Sequence, residues 1–113
     1  MLDKETLRAA LDSRRERDWE QFHTPQNLAI AISVEAGELL EQFQWMTQGE
    51  VRPTDKQRIA IEQEVADVVM LISYLAYDLG IDVNEVVRKK LALNAARYPV
   101  ETARGTATKY DAF

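Results

Sequence analysis

Residues Val65–Tyr77 read VADVVMLISYLAY, and Asp67 is the only charged side chain among them. Neither proline nor glycine interrupts the segment before Gly80. Val65, Val68, Val69, Met70, Leu71, Ile72 and Leu75 wrap almost the whole circumference of a helix. A helix that is apolar all round is covered all round. A carboxylate in such surroundings is costly unless a cation, a metal or water reaches it. This stretch therefore raises two questions: what covers the helix, and what Asp67 faces.

The punctuation on either side predicts more helix and no strand. Gly80 closes this third helix, and Thr54 with Gln57 has capping-box spacing at its start. Upstream, Thr24 is a good N-cap and Pro25 suits the first helical position. The second helix is expected to run from there to about Thr47, with Gly49 as its stop. A first helix is expected from about Asp3 to about Phe22, with Leu7, Leu11, Trp19 and Phe22 as its apolar contacts. Asp82 with Glu85 opens a fourth helix, which Pro99 ends just after Tyr98. The tail beyond, residues 99–113, has no period and is expected to be extended. The fold class is all-α, a four-helix bundle in a single domain over residues 1–113. One face of each helix can be buried within such a subunit. The third helix has more apolar surface than that, so a homodimer or homotetramer joined through apolar helices is expected.

Composition narrows the function classes. At 113 residues the chain suits one domain, and 46% hydrophobic with 29% charged residues is ordinary for a globular protein. No cysteine is present, which excludes thiolate chemistry and a disulfide framework and fits a cytoplasmic location. The charged N-terminus lacks the apolar core of a secretory signal. The longest apolar run is too short to span a bilayer, so no membrane is expected as partner. A net charge of −5 argues against a nucleic-acid partner. A phosphorylated ligand would need local cations to overcome that field.

Asp67 has Glu64 three residues before it, and the second helix repeats the spacing with Glu35 and Glu38. Residues at i and i+3 share a helix face. Between Glu38 and Glu64 lie a helix end, a loop and a helix start, which suits an antiparallel hairpin on which four carboxylates converge. Acidic pairs at this spacing usually lie on solvated faces. Here the neighbours are apolar: Ile32 and Leu39 flank Glu35, and Ile61 and Val68 flank Glu64. Core-facing acids repel one another unless a cation sits between them. Oxygen ligands of this kind suit a hard ion such as Mg²⁺, with Mn²⁺ as the alternative. A di-iron carboxylate bundle would need Glu-x-x-His pairs, and the single histidine, His23, has no such spacing. Gly37, in mid-helix, is a candidate for close approach of a backbone or ligand.

The segments EAGE at 35–38 and EVAD at 64–67, with RDWEQFHTPQN before them and NAARYP after, resemble the MazG-type all-α nucleoside triphosphate pyrophosphohydrolases. They are most similar to the dCTP pyrophosphatase branch. The resemblance covers roughly Arg17 to Tyr110. It implies attack of water on the α-phosphorus of a nucleoside triphosphate, giving monophosphate and pyrophosphate in nucleotide pool sanitation. Mg²⁺ and a dimeric or tetrameric assembly are implied as well. Glu35, Glu38, Glu64 and Asp67 match the family's metal ligands, with Glu35 as candidate catalytic base. Trp19, His23 and Trp45 match positions near the base and sugar. Lys90, Asn94, Arg97, Tyr98 and Lys109 match positions near the phosphates. Relatives in this branch carry a tyrosine four residues after the motif aspartate, where this chain has Leu71. The alternative is a catalytically idle helical oligomer that binds metal and nucleotide.

Overall fold

The computed structural model describes residues 1–46 and 52–107. Every regular element among them is helical: α1 Lys4–Glu16, a 3₁₀ turn Glu20–Phe22, α2 Pro25–Glu41, α3 Asp55–Leu79, α4 Val83–Arg97 and α5 Val100–Ala103. They form two compact units, Met1–Gly80 and Ile81–Phe113. None of the described helices is long and apolar enough to cross a membrane.

Local chemistry explains most boundaries. Asp3, Thr24, Thr54 and Asp82 each accept a bond from a backbone N–H three residues on, at the starts of α1, α2, α3 and α4. At α3 the box is complete, because Gln57 Oε1 also accepts the Thr54 N–H at 2.7 Å. Gly80 ends α3 in the left-handed region with φ 67°.

Two helices are shorter than their sequence predicts. The first stops at Glu16, not Phe22, because Asp18 takes a left-handed φ of 54° and turns the chain. Trp19 and Phe22 therefore leave the helical period, and Phe22 stands 61% exposed instead of joining the core. α2 stops at Glu41. Beyond it Phe43, Gln44 and Met46 donate to carbonyls only three residues back, which tightens the chain into turns. Thr47 and Gly49 lie outside the described residues.

Side-chain contacts define the packing of the first unit. The Tyr74 hydroxyl donates to the Ala10 carbonyl at 3.0 Å, and Arg14 donates twice to the Asp78 carboxylate at 2.9 Å. Both contacts step four residues in the same order, so α1 runs parallel to the end of α3. His23, at the head of α2, stacks on Tyr74, while Glu35, further along α2, meets the earlier residues Glu64 and Asp67 of α3. The α2–α3 pair is thus the expected antiparallel hairpin.

The core is small. Ala10, Leu28 and Tyr74 form it, with Leu11, Leu71 and Leu75 against them, and Leu28 is 1% exposed. Ile30, Val34 and Leu40 on α2, and Ile59, Val65 and Met70 on α3, remain exposed.

In the second unit, α4 is followed by a single turn, α5, where the sequence predicts an extended tail. The Pro99 carbonyl accepts the N–H groups of Thr102 and Ala103 at 3.0 and 2.8 Å. Proline, with its fixed φ, is well suited to the edge of such a turn.

Candidate active site

The i, i+3 spacing on α2 and α3 directs their acids to the seam between the two helices. Glu35, Glu64 and Asp67, all half-buried, each bring a carboxylate oxygen within 4.8 Å of the others. Glu38, also half-buried, lies outside that trio but close enough to Glu35 to share a proton with it. Its proximity, burial, a similar approach by Glu64, and the charges of Glu38 and Asp67 together push the Glu35 carboxyl from 4.5 up to about 7. When ionised, none of these groups can donate a hydrogen bond to another. Oε2 of Glu35 and Oε2 of Glu64 are in fact shut off from solvent with no partner among the described residues. Buried oxygens of like charge, aimed at one point and unbonded, fit a hard divalent cation. Glu35, Glu64 and Asp67 would hold it. This accounts for the charge in VADVVMLISYLAY: Asp67 faces a carboxylate cluster at the helix seam, not apolar packing.

Beside the acids lies a cleft of about 170 Å³, lined by Trp19, His23, Glu35, Asp67, Met70, Leu71 and Tyr74. That is below the ~300–1,000 Å³ of a pocket enclosing a whole drug-sized ligand. The His23 ring is stacked on Tyr74 with centroids 5.5 Å apart and planes 30° from parallel. Burial, and then the Arg14 charge, push the His23 imidazole below its usual value, so it is neutral near pH 7. Its Nδ1 is shielded from solvent and has no partner among the described residues. Beneath these rings the Arg14 guanidinium lies 4.6 Å from the Tyr74 ring centre.

Six of the residues singled out from the sequence thus meet at one place: Glu35, Glu38, Glu64, Asp67, Trp19 and His23. Leu71, the departure from the related branch, is in the cleft wall. Trp45 is 86% exposed beyond the end of α2 and does not line the cleft. Lys90, Asn94 and Arg97 share one face of α4 at helical spacing in the second unit, and Tyr98 is that helix's C-cap. Lys109 lies outside the described residues. Among the described residues, and apart from its own helix backbone and chain neighbours, nothing lies within 4 Å of a Cβ added at Gly37. Sequence reasoning missed Arg14, Tyr74 and Asp78. A signal existed for Arg14, because it falls on the stripe of Leu7 and Leu11 at i+7 and i+3.

Carboxylates at the seam of an antiparallel helical hairpin, with a cleft walled by aromatic rings beside them, are the candidate site of this all-α protein. The MazG-like family matches residues 30–113, and the chain belongs to that family. It is 43% identical over 98 residues to human dCTP pyrophosphatase 1 and 44% identical to the protein of that name from Rattus norvegicus. Each alignment covers 84% of this chain, which spans 58% of the length of these relatives. A crystal structure of a pyrophosphatase from Archaeoglobus fulgidus superposes with a TM-score of 0.73 at 35% identity, covering 85% of this chain and 91% of that one.

Proposed function

We propose that the protein is a Mg²⁺-dependent nucleoside triphosphate pyrophosphohydrolase acting on dCTP or related pyrimidine deoxynucleotides. The observation that carries this reading is the meeting of Glu35, Glu64 and Asp67 at the edge of a cleft walled by Trp19, His23 and Tyr74. The relatives named for dCTP pyrophosphatase support the substrate class.

Glu35, Glu64 and Asp67 would hold a divalent cation, which would supply the positive charge that an acidic chain lacks for phosphate oxygens. Glu35, which lines the cleft, accepts a proton from the attacking water. The water oxygen bonds to the α-phosphorus as the bond to the bridging α–β oxygen breaks, releasing pyrophosphate. Trp19 offers its indole face to the base, and His23, neutral, can hydrogen-bond it. Lys90, Asn94, Arg97, Tyr98 and Lys109 are assigned to the phosphates by resemblance. Trp45 is assigned to the base on the same ground.

The assembly belongs to the same proposal. Exposed apolar side chains along α2 and α3 and a small core in which Leu28 is the large side chain fully buried among the described residues support a homodimer or homotetramer. A cytoplasmic location is proposed with it. The test is a panel of dCTP, dTTP, dUTP and dATP with Mg²⁺ in H₂¹⁸O. Equimolar pyrophosphate and monophosphate, with ¹⁸O in the monophosphate, is the expected result. Orthophosphate release, or turnover undiminished by excess chelator, would overturn it.

A further inference from the structure

Among the described residues Asp18 is the non-glycine residue with positive φ, at 54°. Its N–H donates to the Arg15 carbonyl at 3.0 Å, and the Trp19 N–H donates to the Arg14 carbonyl at 3.1 Å. These two bonds make the helix-ending turn whose left-handed position is usually glycine. A side chain there is strained, so its presence calls for a compensating contact. The Asp18 side chain supplies one that glycine lacks. Asp18 Oδ2 accepts Gln21 Nε2 at 2.9 Å, and the same amide donates to the Asp18 carbonyl at 3.1 Å.

This clip spans the segment that carries Trp19. The Arg17 guanidinium, tied to the Ser13 carbonyl and hydroxyl at 3.0 and 2.9 Å, lies 5.7 Å from the Trp19 ring centre. Trp19 is 48% exposed, so apolar packing alone does little to orient it. The turn sets its backbone and Arg17 approaches its ring. The His23 N–H, bonded to the Glu20 carbonyl at 3.1 Å, continues the same turn into the cleft.

We propose that Asp18 and Gln21 are positioning residues: the left-handed turn and its amide clip hold the Trp19 indole ready to stack on the ligand at the cleft. The proposal rests on reading the cleft as a nucleotide site. A preordered side chain lowers the entropy lost on binding, so the clip acts on ligand affinity and not on the carboxylate chemistry.

Three variants separate the parts. Gln21→Leu removes the clip and leaves Asp18 in place. Asp18→Gly relieves the strain and removes the side-chain acceptor, leaving only the backbone carbonyl for the Gln21 amide, and glycine suits the turn, so folding is preserved. Asp18→Asn keeps an acceptor oxygen and tolerates the left-handed region. Gln21→Leu and Asp18→Gly are expected to raise KM for the triphosphate about five- to twentyfold while kcat stays within about twofold, and Asp18→Asn to recover most of the loss. In protein labelled with 5-fluorotryptophan, the Trp19 ¹⁹F resonance should move and broaden in the first two variants and return in the third. Mn²⁺ affinity should be unchanged. An unmoved resonance with wild-type KM, or a loss in kcat at constant KM, overturns the proposal. Absence of turnover in the wild type would sink the pyrophosphohydrolase reading by itself. The clip would then be judged by the Kd of a non-hydrolysable triphosphate in the same variants, and wild-type protein that binds none overturns it.

Discussion

Replacing Glu38 by glutamine should stabilise the metal-free protein at alkaline pH. Glu38 is first among the causes that hold the Glu35 carboxyl at about 7 rather than 4.5. A carboxyl held up in the folded state binds more protons than in the unfolded chain, so stability falls as pH rises from about 4.5 through about 7. All causes together would cost ~3 kcal/mol at pH 8 without screening. Water around a half-buried site reduces that to ~1–2 kcal/mol. Glutamine removes one like charge and offers Glu35 an amide donor, which should recover ~1 kcal/mol, or a rise of ~3–6 °C in Tm. The assay is thermal unfolding by circular dichroism in excess chelator at fixed protein concentration, from pH 5 to pH 8. The fixed concentration matters because an oligomer's Tm depends on it. The wild-type curve should fall more steeply with pH than that of the variant, and the gap should close at pH 5. Adding Mn²⁺ at pH 8 should stabilise the wild type. Equal slopes, or a lower Tm for Glu38→Gln at pH 8, would refute the idea that the acids repel one another in the folded chain.

Asp67→Asn should reduce pyrophosphate release at least ~100-fold while the far-ultraviolet spectrum stays that of the wild type, since the proposed function makes Asp67 a metal ligand and asparagine keeps its volume; wild-type rates would make Asp67 structural. Tyr74→Phe deletes the hydroxyl bonded to the Ala10 carbonyl and should lower stability by ~1–2 kcal/mol in chemical denaturation, with an unchanged midpoint counting against that bond. Gly37→Ala adds a methyl group into open space on α2 and should raise stability by up to ~1 kcal/mol, read from the same denaturation curves; a loss would mean that a partner subunit or ligand packs there.

The hairpin and its acids were legible in the sequence because both rest on short-range rules. Thr54 with Gln57, Gly80 and Asp82 act within four residues of themselves, and the structure uses each as a cap. The i, i+3 acids of α2 and α3 have to share a face of their own helix. The break at Asp18 was less legible, since nothing in RDWEQF carries the glycine that usually marks such a turn. The sequence therefore predicts Trp19 and Phe22 on the first helix, which ends at Glu16. The one-turn α5 escaped for a related reason: four residues are too few to show a period.

What the sequence determined by itself is the all-α class, the caps and the pairing of the acids, because helical period and backbone hydrogen bonding are local. Only the tertiary structure decided which long-range neighbours each side chain has. It placed Arg14 on Asp78, 64 residues away in the chain, and over the Tyr74 ring. It brought His23 onto the same ring, and Trp19 to the cleft while leaving Trp45 out of its walls. It also raised Glu35 toward neutrality, since a pKa responds to charge and burial within a few ångströms, whatever their separation along the chain.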